Sequence, residues 1–287
     1  MQIINTVTEL RAALKSHTSI AFVPTMGNLH AGHIYLVELA KQQAECVVVS
    51  IFVNPLQFGA NEDLASYPRT LATDCEKLKA AGASIVFTPT VTEIYPDFDG
   101  INLNQSMSIA LPTIANDLCG ASRPGHFSGV ATIVLKLFNM VFLNGAQQQL
   151  AVFGQKDFQQ LFIMKQLVKQ FNLPIQIMAG ETVREANGLA MSSRNGYLTA
   201  EQREQASQLN RVLQDIVNNI KNGLSDFDAL EHQATSTLTA QGWMVDYMTV
   251  RSALSLSPAN GHDRHLVVLG AAKLGNTRLI DNIEFLR

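Results

Sequence analysis

The 287-residue sequence predicts an α/β protein in two parts: a parallel-sheet domain over residues 1–180 and a smaller α+β domain over residues 181–287. Three observations carry this. Apolar runs of strand length alternate with amphipathic stretches of helix length up to about residue 180. The run "CVVVSIFV", from Cys46, is β-branched and apolar almost throughout, as suits a strand covered on both faces of a parallel sheet. Near Glu181 the alternation stops, and "ETVREANGLAMSSRNGYL" is polar, glycine-containing and aperiodic.

"TVTELRAAL" opens a short helix with a capping box from Thr6 to Glu9. "IAFVP" reads as a buried strand and "GHIYLVELAKQQA" as an amphipathic helix. After "CVVVSIFV" comes a long loop, "NPLQFGANEDLASYPRT", whose aromatic and amide side chains suggest function. The helix "LATDCEKLKAAG" and the strand "SIVFTP" follow. Next come the helix "FSGVATIVLKLFNMVF", the strand "QLAVFG", the helix "DFQQLFIMKQLVKQF" and the strand "LPIQIMA". Right-handed crossovers turn this order into a Rossmann-like sheet. Beyond residue 181 two helices are expected. One starts at a Thr199–Gln202 capping box, the other near Ser225 with Asp228 three residues on. "GWMVDYMTVRS", "RHLVVLGAAKLG" and "TRLIDNIEFL" then read as strands of a small sheet.

Composition narrows the function classes. Hydrophobic residues make up 47% of the chain and the formal net charge is −3, so nothing chain-wide points to nucleic acid or membrane. "VATIVLKLFNMVFL" contains Lys136 and is too short to span a bilayer. No secretory leader is recognisable, and a cytoplasmic location is expected. Cys46, Cys75 and Cys119 are widely spaced and odd in number, which predicts reduced, buried thiols rather than a disulfide framework.

The chemistry concentrates in a few motifs. "PTMGNLHAGH" places His30 and His33 where a strand gives way to a helix N-terminus. Unpaired N–H groups and the helix dipole favour an anion there, and imidazoles add donors. A metal, a nucleophile's base or a phosphate each fit the pair. Zinc is weakened by the lack of further ligands at a recognisable spacing. "FGQKD" ends a strand, where open α/β sheets bind ligands, and offers Lys156 to a phosphate. Asp157 suits ribose hydroxyls or a helix cap. "MSSRN" fits a polyphosphate clamp or a solvated turn. Asn54 and Gln57 supply uncharged amides for a small polar substrate. "CGASRPGHFSGVAT" contributes Arg123 ahead of a helix, either to brace the site or to touch the ligand. No P-loop and no G-x-G-x-x-G fingerprint occurs, which argues against a standard kinase or dehydrogenase.

Taken together, "PTMGNLHAGH", "FVNPLQFGANEDLASYPRT", "NDLCGASRPGHFSGVATIVLKLFN", "FGQKDFQQL", "ANGLAMSSRNGYL" and "TRLIDNI" closely resemble the pantothenate synthetase (pantoate–β-alanine ligase) family. H-x-G-H alone would suggest only the wider nucleotidyltransferase superfamily, which includes class I aminoacyl-tRNA synthetases. The resemblance implies an ATP-dependent ligase of pantothenate and coenzyme A biosynthesis that joins pantoate to β-alanine through a pantoyl adenylate, with Mg²⁺ accompanying ATP. It implies that Met26, Gly27, Asn28, Leu29, His30, Ala31, Gly32 and His33 bind ATP. Gly154, Gln155, Lys156, Asp157, Val183, Met191, Ser192, Ser193 and Arg194 share that role. His33, His30, Lys156 and Arg194 are the implied catalytic groups. Gln57 and Gln160 are assigned to pantoate, and Gln57 also to β-alanine. A homodimer is implied, and no metal ligand is assigned. Because an acyl adenylate hydrolyses readily, a closing lid that includes Ser192–Arg194 is expected. Ala31 and Tyr35 depart from the family pattern, which commonly has an acidic and a small hydroxyl residue at these positions.

Overall fold

The computed structural model describes residues 1–59, 64–143 and 145–287; residues 60–63 of the long loop after "CVVVSIFV" lie outside the described residues. The chain divides into two compact units. One comprises Met1–Asn116, Arg123–Gln155 and Gln160–Glu181; the other comprises Asp117–Ser122, Lys156–Gln159 and Thr182–Arg287.

The first unit is built on a parallel sheet. Its elements run β1 (Gln2–Ile4), α1 (Val7–Leu14), β2 (Ser19–Thr25), α2 (Ala31–Gln43), β3 (Cys46–Ile51), α3 (Leu71–Ala81) and β4 (Ile85–Phe87). They continue with α4 (Val91–Ile94), α5 (Cys119–Ser122), α6 (His126–Val141), β5 (Gln148–Gly154), α7 (Phe158–Gln170) and β6 (Gln176–Gly180). Of these, α5 and the first two residues of α7 group with the second unit. The strand order is β1-β4-β3-β2-β5-β6, every pairing parallel. The sheet therefore reverses direction of growth at β2, which lies between β3 and β5, and ligands of such sheets bind outside the strand ends at that point. Edge strand β1 was not anticipated: three residues ahead of the first capping box show no alternation, and their pairing with β4 bridges more than eighty positions.

Alternation along β2 explains why its sequence is continuously apolar. Ala21 and Val23 pack with Val37 and Ala40 of α2 and with Val47 and Val49 of β3. Phe22, on the opposite face, meets Phe138 and Phe142 edge-on at ring separations of 6.4 and 6.2 Å. Both faces are covered, as a parallel strand requires. Thr6 accepts the Glu9 N–H, so the first helix starts at its expected cap.

The second unit carries α8 (Ala200–Gln205), α9 (Gln208–Lys221), α10 (Phe227–Ala240), and an antiparallel sheet of β7 (Met244–Ser252), β8 (His265–Leu274) and β9 (Thr277–Leu286), with β8 central. The helix expected from the Thr199 box is broken in two. Ser207 Oγ donates to the Glu204 carbonyl at 2.7 Å, taking an acceptor that a continuous helix would offer to the Gln208 N–H. The second expected helix is capped one residue later than Ser225: Asp226 accepts the Ala229 N–H at 3.0 Å. Leu209, Leu213, Ile216 and Ile220 form one stripe of α9 and pack with Leu230 and Leu238 of α10 and with Val250, Leu266 and Val268 of the sheet.

Candidate active site

The turn between β2 and α2 is held from α3. Gly27 and Asn28 sit at φ 87° and 52°, the left-handed region that glycine and asparagine tolerate best. Asp74, fully buried, accepts the Asn28 N–H through Oδ2 and the Leu29 N–H through Oδ1, both at 2.8 Å, and also accepts the Thr70 hydroxyl at 3.0 Å. Lys77, one turn on, donates to the Leu29 carbonyl at 2.6 Å. Nothing local in the sequence marks Asp74 or Lys77; they act 45 to 48 residues from their partners.

His30 and His33 cap the helix they open. His30 is the N-cap of α2, and its Nδ1 accepts the Gly32 N–H at 3.1 Å. His33 Nδ1 accepts the His30 N–H at 3.3 Å, which closes a reciprocal capping box made of two imidazoles. The rings lie 4.0 Å apart between centroids. Backbone N–H groups facing both Nδ1 atoms select the tautomer with its proton on Nε2. This corrects one expectation. The N–H groups of Asn28, Leu29, His30 and Gly32 are already paired within the protein, so the helix mouth presents ring Nε2–H donors rather than a cradle of unpaired N–H groups. Ala31 is exposed, and Tyr35 packs against the core on α2.

At the end of β3, Asn54 is buried and central. Its Oδ1 accepts the Tyr95 hydroxyl at 2.6 Å and its Nδ2 donates to Gln57 Oε1 at 3.3 Å. Gln57 Nε2 reaches Met26 Sδ at 2.6 Å, so Gln57 and the residue opening the β2–α2 turn are in contact. Gly154 ends β5 and Gln155 follows it, and Gln160 is half-buried on α7.

The remaining candidates belong to the second unit. Lys156 and Asp157 lie in a single 3₁₀ turn, with the ammonium 4.0 Å from the Asp157 carboxylate. Asn282 of β9 donates to the Lys156 carbonyl at 2.8 Å and holds that turn. Gln159 accepts the Cys119 N–H and donates to the Asp117 carbonyl, so of the two adjacent glutamines it is the structural one. Val183 accepts the Met191 N–H at 2.9 Å, which brings Val183 and the Met191–Arg194 segment together. Arg184 grips Asp281 with two bonds of 2.7 and 3.0 Å. Ser192 accepts the Arg194 N–H at 3.2 Å and caps the 3₁₀ turn Ser193–Tyr197, leaving its own proton for donation. Buried Asn195 ties that turn to Glu185 at 2.8 Å, and Arg203 completes a two-bond pair with Glu185. This bonding to Arg203 holds the Glu185 carboxyl below its ordinary value. None of Asp281, Asn282, Glu185 or Arg203 was singled out from the sequence, because their partners are fixed by tertiary structure.

Of the three free cysteines only Cys46 is buried, which corrects the expectation that all are; burial pushes its thiol up to about 11. Among the described residues no group of three or more His, Cys, Asp or Glu side chains suits a metal ion, and no helix is long and apolar enough to cross a membrane.

The family model described as Pantoate-beta-alanine ligase matches residues 2–284. A pantothenate synthetase of Methylobacillus flagellatus is 62% identical over 285 residues, covering 99% of each chain. The crystal structure of pantothenate synthetase from Thermus thermophilus superposes with a TM-score of 0.89 at 38% identity, over 99% of both chains. That of pantoate-beta-alanine ligase from Francisella tularensis, complexed with beta-gamma ATP and beta-alanine, gives a TM-score of 0.80 at 33% identity, covering 99% of this chain and 97% of that one. The fold, the motifs and these matches agree along nearly the whole sequence, and the chain belongs to the pantoate–beta-alanine ligase family.

Proposed function

We propose that the chain makes pantothenate in two steps at the expense of ATP. In the first, a carboxylate oxygen of pantoate attacks the α-phosphorus of ATP. The bond to the β-phosphate oxygen breaks, and pyrophosphate leaves from pantoyl adenylate. In the second, the amine of β-alanine attacks the acyl carbon, loses a proton, and displaces AMP. The observation that carries this reading is the reciprocal capping box of His30 and His33 at the mouth of α2, in a relative of a ligase solved with beta-gamma ATP and beta-alanine.

Charge decides the roles. A carboxylate and a triphosphate repel, so the attack needs donors and cations fixed in advance. His30 and His33 offer Nε2–H to the phosphates; Lys156 and Arg194 bring positive charge, and Ser192 and Ser193 bring hydroxyls. Met26–His33, Gly154–Asp157, Val183 and Met191 shape the nucleotide site. Gln57 and Gln160 hold pantoate without adding charge, and Gln57 also borders β-alanine. Mg²⁺ enters as the counter-ion of the ATP substrate. The parallel-sheet part binds ATP and pantoate, the C-terminal part acts as the lid, and the enzyme works as a cytoplasmic homodimer.

Exchange of labelled pyrophosphate into ATP tests the first step. It is expected with pantoate alone, without β-alanine. Folded, active enzyme that shows no exchange would rule out the adenylate.

A further inference from the structure

We propose that Arg123, His126 and Gly129, at the entrance to α6, are positioning residues that seat Gln57 and so decide which end of its amide meets the substrate. This rests on the assignment of Gln57 to pantoate. The seat acts on both the backbone and the side chain. His126 Nδ1 lies 2.8 Å from the Gln57 carbonyl oxygen, and Arg123 donates to the same oxygen at 3.3 Å. Arg123 also lies 3.0 Å from His126 Nε2. A guanidinium only donates and a carbonyl only accepts, so the ring is held as the Nδ1–H tautomer, donating to Gln57 and accepting from Arg123.

Close approach completes the seat. A Cβ on Gly129 would run into the Leu56 carbonyl and stand 2.9 Å from the Gln57 nitrogen, so only glycine lets α6 lie directly against the Pro55–Gln57 turn. The Gly129 carbonyl accepts from Asn54 Nδ2 at 3.2 Å, and the same Nδ2 meets Gln57 Oε1. Tyr95 fixes the other end of Asn54. With Oε1 engaged by Asn54 and one amide N–H directed at Met26 Sδ, the second N–H of Gln57 is the donor that remains for acceptor oxygens such as a carboxylate or hydroxyl. The R-P-G-H-x-x-G segment therefore serves the substrate through Gln57 rather than by touching it.

Steady-state kinetics on His126→Ala, His126→Asn, Arg123→Ala and Gln57→Ala, each with a melting curve, test this. His126→Ala is expected to raise the KM for pantoate about tenfold or more while the KM for ATP stays within about twofold. His126→Asn, whose amide N–H replaces Nδ1–H, is expected to recover most of that loss. Arg123→Ala is expected to shift the pantoate KM in the same direction by less, and it stands in if His126→Ala does not fold. An unchanged pantoate KM in both alanine variants overturns the seat, as does a parallel rise in both KM values without rescue by Asn. If Gln57→Ala itself leaves the pantoate KM unchanged, the pantoate assignment falls and the proposal falls with it. A damaged Gln57→Ala beside unaffected Arg123 and His126 variants removes the seat alone.

Discussion

Asp74 Oδ1 accepts the Leu29 N–H at 2.8 Å, and the other oxygen of the same carboxylate accepts from Asn28. A helix outside the H-x-G-H motif thus sets the path of the chain into it. Asp74→Ala leaves two loop N–H groups without partners, at about 1–3 kcal/mol for each that stays buried. The expected outcome is a lowered melting temperature together with at least a tenfold loss of pyrophosphate exchange. Asp74→Asn keeps one acceptor oxygen and is expected to fall between Ala and wild type. Calorimetry and the exchange assay read the two effects separately.

The histidine capping box lets helix capping and chemistry be separated at one position. His30→Ala loses the N-cap, which costs about 1 kcal/mol, and also the Nε2–H donor, which costs about a hundred- to a thousandfold in rate. His30→Asn restores a side chain well suited to the cap but offers nothing at the Nε2 position. Its melting temperature is expected near wild type while its exchange rate stays as low as that of His30→Ala. Recovery of both would mean that His30 serves only the helix.

Asn282 holds the carbonyl of Lys156. Asn282→Ala removes that bond without touching charge, so a loss of about 1 kcal/mol in stability is expected. Turnover should fall more than tenfold if the turn must hold the ammonium at the phosphates. Kinetics at saturating ATP, beside a melting curve, distinguish the two contributions.

The Glu185–Arg203 pair makes an acid-side prediction. Its carboxyl titrates below the ordinary glutamate value of 4.5. The stabilisation is therefore fully present above about pH 4.5 and is lost as pH falls through the folded-state value. Arg203 is half exposed, so the contribution is about 1 kcal/mol. Glu185→Gln is expected to flatten the pH dependence of unfolding in that window and to leave stability close to wild type once the pH is below the folded-state value. Urea titrations at a series of pH values measure it.

Cys46 is buried, and its thiol is pushed up to about 11. An alkylating reagent at pH 8 is expected to leave it unmodified in the native enzyme and to label it on unfolding, as mass spectrometry of the peptides can show.

Local signals carried most of the fold. The continuous apolar strands, the Thr6 and Thr199 caps and the loss of alternation at Glu181 are each written within a dozen residues. What escaped was long-range or competitive. β1 is too short to show a period and is defined by its pairing with β4. The break before α9 depends on one hydroxyl, that of Ser207, competing for a carbonyl. The motifs named the chemistry-bearing side chains, yet not the state in which they are held. His30 and His33 looked like donors beside unpaired amides; in the fold those amides are paired, two of them by the rings themselves. Asp74, Asn282 and Glu185 are ordinary letters in the sequence and acquire a role only when the fold brings a distant backbone or side chain to them.

The second unit is not a continuous length of chain, and this bears on how it is made. Asp117–Ser122 and Lys156–Gln159 leave the ribosome well before the strands they join. Cys119 meets Tyr247 across 128 residues and Arg278 across 159. These early segments gain their full set of partners in that sheet only when the final hairpin has been synthesised, so the closing stages of this unit depend on contacts of high sequence separation. A fragment begun at Thr182 would hold all three strands of the small sheet and still lack the thiol against which the Tyr247 hydroxyl is packed.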